Sequence, residues 1–266
     1  MTCAGTRSKN VLPMKVAVAT VFLAFWTGLF SHFGRTSPAV KANVAAFSAD
    51  TELKGRLVDP VNIDLMWSSR TTNAGPYLGG YLVEYTGDPR YEFIIIDAVA
   101  PDVSWARHPN LAPETHFIYR IRPFFGKASA VASVRTGKAP DDASQGKHMP
   151  DAAPRPDAKG KSLKDPATID DAGPANFVAK LESPRVVDFV WKDRAGDEDG
   201  FFLEASDKPD GDFKVVSYLD PNTTSYQIPL LPEEKKIYFR VRAFIYGKPS
   251  NLVTLDTGRD PKAPTR

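Results

Sequence analysis

The chain contains one sequence module twice. Around Trp67 the sequence reads LVDPVNIDLMW, and around Trp191 it reads LESPRVVDFVW. The match resumes downstream as pairs of identical residues: Arg120 and Arg240, Arg122 and Arg242, Gly126 and Gly247, and Thr136 and Thr257. Self-similarity at a nearly fixed offset is the sequence signature of repeated structural units. The sequence therefore predicts two copies of one fold, each about 85 residues long and large enough to bury its own core.

Alternating apolar residues predict β-strands in both repeats. In the second repeat, Val187, Phe189 and Trp191 fall on one face of a strand. Other strand-like runs are GYLVEY, FIIIDAVA and FIYRIRPFF in the first repeat, and GFFLEA, FKVVSYLD and IYFRVRAFIY in the second. The longest runs each end in Gly-Lys, at Gly126 and Gly247, where we predict a turn that reverses the chain into a last strand. About seven short strands in each repeat predict a two-sheet sandwich.

These residues resemble the fibronectin type III domain. The resemblance rests on the tryptophan of the second strand, the GYLVEY and GFFLEA strands, the Leu-Pro turns and the RIRP and RVRA strands. The resemblance covers both repeats. The chain is similar to many bacterial proteins with tandem domains of this family, which are membrane-anchored or exported. The resemblance implies an all-β protein with two immunoglobulin-like, seven-stranded sandwiches. The apolar segment described next adds one N-terminal hydrophobic helix to this fold class. One departure is that Phe117 and Ile237 stand where the family has a buried corner tyrosine, so the corner hydrogen bond must be absent or replaced.

An apolar segment near the N-terminus predicts a link to a membrane. Val16 to Phe30 carries no charge, and the cations before it outnumber those that follow. We predict a transmembrane helix or a signal peptide at 16–33, after a cytoplasmic tail at 1–15. The sequence Val40-Lys41-Ala42 is a possible cleavage site, so a secreted product is the alternative to an anchored one. Both alternatives place the two repeats outside the cytoplasm, in the periplasm or at the cell surface.

Composition separates the rest of the chain into spacers and modules. A stretch without aromatic residues, rich in Pro, Asp, Lys and Ala, lies between the repeats and predicts a flexible linker. The predicted ranges are a spacer at 34–49, module 1 at 50–138, the linker at 139–172, module 2 at 173–259 and a tail at 260–266. With such a linker we expect the modules to reorient nearly independently.

Charge and cysteine content exclude several classes of function. The 266 residues carry a formal net charge of +2, with cations interleaved among acids, which argues against a nucleic-acid partner. The single cysteine, Cys3, cannot form an intrachain disulfide. The sequence has no nucleophile elbow, phosphate loop or histidine–cysteine pattern, so we predict no enzyme activity, no cofactor and no metal site. The acidic loop from Asp193 to Asp199 is interpreted as a solvated turn because its spacing fits no calcium loop.

Few side chains stand out as candidates for binding, and all of them are weak. They are Tyr77, Arg120, Arg122, Arg240 and Arg242. The four arginines are expected on the outward face of their strands, opposite Glu84 and Glu204, where they form solvated ion pairs or contact an anionic ligand. Tyr77 belongs to a loop four residues longer than its counterpart in the second repeat, and loops at sandwich ends often carry recognition.

Taken together, the sequence predicts a non-catalytic extracytoplasmic protein for binding or adhesion, or a scaffold that presents two modules. The alternative is an accessory spacer or docking subunit of an envelope enzyme or a secretion complex. The expected partners are a protein or a polysaccharide, with membrane attachment through the N-terminal helix. The resemblance implies a fold, and folds of this kind host many functions.

Overall fold

β-Strands supply nearly all the regular structure of the described residues. The computed structural model describes residues 47–72, 75–136, 160–183, 186–229 and 235–259. The first repeat contains β1 (Ser48–Asp59), β2 (Asn62–Thr72), β3 (Leu78–Thr86), β4 (Ile94–Val99), β5 (Trp105–His108), β6 (His116–Ala128) and β7 (Ala132–Arg135). The second contains helix α1 (Ile169–Ala172), then β8 (Ala175–Ser183), β9 (Val186–Lys192), β10 (Gly200–Ser206), β11 (Lys214–Leu219), β12 (Ser225–Pro229), β13 (Lys236–Tyr246) and β14 (Val253–Asp256). The predicted all-β fold is confirmed, and the predicted segments at 1–15 and 16–33 lie outside the described residues.

The strands form two small sheets and one large sheet. The small sheets have the orders β1-β2-β5 and β12-β9-β8, and the large one has the order β11-β10-β13-β6-β3-β4 with β14 on β6 and β7 on β13. Each small sheet packs on one half of the large sheet, which produces two hydrophobic cores. Trp67 lies in the first core and Trp191 in the second, on the inward faces that the alternation predicted.

The two repeats exchange their last strands. β14 of the second repeat pairs with β6 of the first, and β7 of the first pairs with β13 of the second. A pair of hydrogen bonds follows each exchanged strand. The backbone N–H of Thr257 donates to the carbonyl of Thr115, whose N–H donates to the Thr257 hydroxyl. Thr136 makes the same two bonds with Lys235. Each sandwich therefore contains six strands of its own repeat and one strand of the other. The expected independent movement of the modules is incompatible with this arrangement.

The predicted turns at Gly126 and Gly247 are wrong. β6 runs straight through Gly126, which pairs with Phe244 of β13. After β13 the chain also continues along β6, because Gly247 donates its backbone N–H to Pro123. The repeats have nearly the same sixth strand, so either last strand fits either partner. Opening both turns adds pairing between β6 and β13, which closed hairpins would not make.

Parts of the predicted spacer and linker are packed in the second core. Phe47 and Ala49 belong to the predicted spacer, but both are buried. Leu163, Ile169 and Ala172 belong to the predicted linker, and all three are fully buried in the same core. The described end of the linker, 160–172, is therefore a structural part of module 2. Its apolar residues stand singly among polar and charged neighbours, so no hydrophobic run in the sequence marks them.

A different contact takes the place of the corner hydrogen bond. The Tyr119 hydroxyl lies 3.0 Å from Nδ1 of His108. This bond joins β6 to β5, on opposite sheets of the first sandwich. Burial of His108 lowers its pKa from 6.5 to about 4, so the ring is neutral in the folded protein at neutral pH.

Candidate functional site

The large sheet curls so that its edge strands, β4 and β11, contact one another. The face turned away from the two sandwiches is therefore concave and encloses a third hydrophobic cluster. Its buried members are Leu82, Phe124, Phe202 and Phe244. The rings of Phe202 and Phe244 are stacked with centroids 4.1 Å apart, and Phe124 meets Phe202 edge-on at 4.8 Å. This face holds the charged residues that the sequence singled out.

Two acidic residues each pair with two arginines on the concave face. Glu84 accepts hydrogen bonds from Nε of Arg120 at 2.5 Å and Nε of Arg122 at 3.2 Å. At the equivalent place in the second repeat, Glu204 accepts from Nε of Arg240 and from Nε of Arg242, the latter at 2.6 Å. We call these groups the first triad and the second triad.

The expectation that the triads lie on a solvated face is wrong. The side chains of Glu84 and Glu204 are 1% and 3% exposed, and those of Arg122 and Arg242 are 4% and 9% exposed. The register on each strand is as predicted, but the curled sheet covers the outward face. Breaking a buried pair leaves an uncompensated charge and costs much more than breaking a surface pair.

In each triad an aromatic ring lies against the more exposed arginine, which is Arg120 in the first triad and Arg240 in the second. The guanidinium of Arg120 lies 3.9 Å from the ring centroid of Phe93, and that of Arg240 lies 4.1 Å from the ring of Phe213. A desolvated cation over a ring face is stabilised by the ring quadrupole. Desolvation nonetheless lowers the pKa of Arg120 from its ordinary value.

The two triads differ in what covers them. In the first, the guanidinium of Arg122 lies 4.8 Å from the ring centroid of Tyr246, whose pKa is raised by burial. The second repeat has one residue more than the first between its second arginine and its glycine, Gly247. In the register of β6 and β13, Gly126 therefore takes the position of Tyr246, and it has no side chain to cover Arg242. Arg242 instead donates from Nη1 to the carbonyl oxygen of Gly126 at 3.2 Å. The tyrosine ring covers the first triad, and the second triad lies beside a pocket.

The two repeats also differ at the residue that precedes the glycine of their third strand. At the start of β3 the chain has Gly79, where a Cβ would collide with the ring of Phe124. The equivalent residue, immediately before β10, is Asp199, whose carboxylate accepts the backbone N–H of Tyr246 at 2.7 Å. Burial raises the pKa of Asp199. Asp199 therefore fixes the tyrosine over the first triad.

The pocket beside the second triad has a volume of about 330 Å³. Glu204, Arg240 and Arg242 form its charged part. Apolar side chains form much of the remaining wall, among them Pro76, Ala98, Phe124, Phe213 and Val215. Asp102 and Asp212 also line the pocket and are exposed. The arrangement combines a buried positive site with an apolar body and an acidic rim.

Of the five candidate residues, the structure brings two into the pocket. Arg240 and Arg242 line it, whereas Arg120 and Arg122 belong to the covered triad. Tyr77 lies apart from both, because its hydroxyl donates to Asp170 at 2.9 Å. Its ring packs against Phe47, with centroids 5.6 Å apart. Tyr77 thus fastens its loop to α1 of the second module.

The acidic loop after Trp191 serves the fold. Asp197 accepts hydrogen bonds from the Ser162 hydroxyl at 2.6 Å and from the backbone N–H of Leu163 at 2.7 Å. Glu198 accepts the backbone N–H of Asn222 at 2.9 Å. The expected solvated turn is therefore a set of structural contacts. In the described parts of the chain, no group of three or more His, Cys, Asp or Glu residues could hold a metal ion.

Sequence reasoning missed the third cluster and the pocket. A signal was available, since Phe124, Phe202 and Phe244 occupy outward positions of strands whose inward positions are also apolar. Apolar residues on both faces are typical of a strand that is covered on both sides. The pocket itself depends on Tyr246, the one extra residue before Gly247 in the second repeat, and a comparison of the repeats displays this insertion without showing its consequence.

The described strands define an all-β fold in which each small sheet packs on one half of the large sheet. No protein-family model matches the chain, and no curated protein matches it. Among solved structures, the FN1-FN3 domains of chicken CNTN1 are similar with a TM-score of 0.24 and 13% identity, over 78% of this chain and 98% of that one. Across 47–72, 75–136, 160–183, 186–229 and 235–259, no helix is long and apolar enough to cross a membrane.

Proposed function

We propose that this protein is a non-catalytic binding scaffold that presents its two sandwiches as one rigid body outside the cytoplasm. The observation that supports the proposal is the reciprocal exchange of β7 and β14. Because each sandwich needs a strand of the other, their separation and orientation are fixed by backbone hydrogen bonds. A rigid pair of modules holds its contact surfaces at a constant spacing, which suits binding of a protein or polysaccharide at the cell envelope.

The rigid body also favours the second candidate function. A spacer or docking subunit of an envelope enzyme or secretion complex has to keep a set distance between its partners. Flexible tandem modules would do this poorly, whereas a continuous sheet through both modules does it well. The two functions differ in the partner, which is a ligand for the first and a permanent neighbour for the second.

Location is a separate part of the proposal. We place both sandwiches on the far side of the membrane because of the apolar segment at 16–33 and its preceding cations. The test is to express the full chain with a C-terminal tag, add protease to intact and permeabilised cells, and measure the intact mass of the product. If the tag stays protected in cells whose outer membrane alone is permeabilised, the extracytoplasmic location is contradicted.

The binding role is tested by site-specific photo-cross-linking in cells that make the full chain. The cross-linker is placed in turn at three exposed residues: Tyr91 between β3 and β4, Asp102 between β4 and β5, and Trp105 in β5. We expect one position to give a defined cross-linked product that the other two positions do not give. The protein or polysaccharide in that product, once purified, should bind the purified full chain. Adducts that are equal at all positions, or no binding between purified components, would overturn the scaffold function.

A further inference from the structure

We propose that the pocket beside the second triad binds a monoanionic ligand, a carboxylate carried on a small apolar body. The inference rests on the proposed binding function and specifies the chemistry of one of its sites. It is drawn from the pocket's charges, its walls and its contrast with the covered triad.

The charge of the pocket is unbalanced at its buried end. Arg240 and Arg242 supply two positive charges, and Glu204 supplies one negative charge. Within the described ranges, no hydrogen bond involves the Nη atoms of Arg240, whose Nε alone is bonded to Glu204. The side chain of Arg240 is 26% exposed, so these donors can be reached from the pocket. A guanidinium with two free nitrogens matches the two oxygens of a carboxylate.

The other walls of the pocket determine which apolar body and which total charge the ligand can have. The rings of Phe124 and Phe213, together with Ala98, offer apolar contact. The volume of about 330 Å³ lies at the small end of the range for ligand pockets. Asp102 and Asp212 would repel a second negative charge on the ligand. A monoanion with one ring or one branched side chain therefore fits better than a dianion or a phosphate.

The covered triad provides an internal comparison. Arg120 has a glutamate partner and a phenylalanine neighbour equivalent to those of Arg240, but it does not line the pocket. A variant at Arg120 removes an equivalent ion pair without touching the pocket. Loss of ligand binding can thus be separated from loss of a buried charge.

The first experiment is calorimetry on the full chain in detergent micelles, with 3-phenylpropanoate as the probe. We expect saturable binding below about 10 mM, and binding of the neutral 3-phenylpropanamide weaker by about tenfold or more. The dianion phenylsuccinate should also bind less tightly than the monoanion. Equal binding of acid and amide, or no binding of the acid at this concentration, would overturn the proposal.

Variants then locate the site. We expect Arg240→Gln to weaken 3-phenylpropanoate by about tenfold, and Arg120→Gln to leave its affinity within about twofold. Since Arg240→Gln can impair folding, Ala98→Phe is the second variant, which fills the pocket and keeps every charge. Binding that survives Ala98→Phe, or that falls equally with Arg120→Gln, would place the probe elsewhere and contradict the assignment.

Two sources can supply such a carboxylate, a small organic acid or the C-terminus of a polypeptide. An eight-residue peptide ending in phenylalanine, with a free or an amidated C-terminus, distinguishes them. Binding of the free-acid peptide as tight as that of 3-phenylpropanoate identifies a polypeptide C-terminus, and exclusion of the peptide identifies a small acid. Absence of any pocket ligand would leave the cross-linking test of the scaffold function unaffected, so the two proposals fail separately.

Discussion

Leu255 pairs with Phe117, although the two residues belong to different sequence repeats. The pairing makes the last strand of the second repeat part of the first sandwich, where Leu255 contacts the core. Since β7 does the same in the opposite direction, the two repeats are interlocked. Interlocking explains how a chain with a long connection between its repeats can act as one body.

A disulfide can detect the exchange directly. His116 and Asp256 are exposed, and their side chains are 2.7 Å apart across β6 and β14. In a chain that carries Cys3→Ser, we expect His116→Cys with Asp256→Cys to form an intramolecular disulfide, measured by intact mass with and without reductant. The loss of this exposed side-chain contact should cost less than about 1 kcal/mol.

The matched control uses Lys236, which is equivalent to His116 in the second repeat. Without the exchange, β14 would pair with β13, and Asp256 would approach Lys236. In the structure Lys236 pairs with Arg135 instead. Lys236→Cys with Asp256→Cys should therefore stay reduced, and a disulfide in this variant alone would show self-contained modules.

Cleavage between the repeats should not separate them. A protease site inserted between Lys147 and His148, outside the described residues, would allow one cut in the folded protein. We expect the two fragments to elute together in size-exclusion chromatography, because each retains a strand in the other sandwich. They should separate only in denaturant, and separate elution in native buffer would contradict the exchange.

Glycine at position 126 should be required by the close approach of two strands. A Cβ there would collide with the carbonyl oxygen of Ala243, which belongs to the partner strand. We expect Gly126→Ala to lower the free energy of unfolding by about 1–3 kcal/mol, as measured by urea denaturation. Gly87→Ala is the control, since the nearest atom to its Cβ is an oxygen 3.9 Å away. Equal stability of the two variants would argue for a hairpin at Gly126.

The sequence predicts the local features of this fold and misses those that depend on which strand each last strand pairs with. Alternation places Trp67 and Trp191 in the cores because burial on one face imposes a period of two on each strand. The exchange leaves no such mark, since β6 and β13 carry the same pattern and either last strand satisfies it. The same holds for Arg240 and Arg242, whose outward register is correct but whose burial depends on the curl of the whole sheet. The sequence signal for a covered outer face lies in the apolar residues at outward positions, Phe124, Phe202 and Phe244.

The third cluster should contribute as much to stability as an ordinary core. Phe202 is 1% exposed and lies against the rings of both Phe124 and Phe244. We expect Phe202→Ala to lower the free energy of unfolding by about 3–5 kcal/mol in urea denaturation. Tyr91→Ala, at a side chain that is 71% exposed, should change it by less than about 0.5 kcal/mol. A small effect at Phe202 would mean that the concave face is open to water.

His108 should make the protein less stable in mild acid. Its pKa is about 4 in the folded state and 6.5 ordinarily, so between these values the unfolded chain binds a proton that the folded chain does not. The stability due to neutral His108 is therefore complete above pH 6.5 and declines as the pH falls towards 4. Allowing for solvent screening of a half-buried ring, we expect a loss of about 1–2 kcal/mol by pH 4. Urea denaturation at pH 7 and pH 4.5 should show a smaller decline for His108→Gln than for the unmodified chain, and the same decline in both would assign the acid sensitivity to carboxylates.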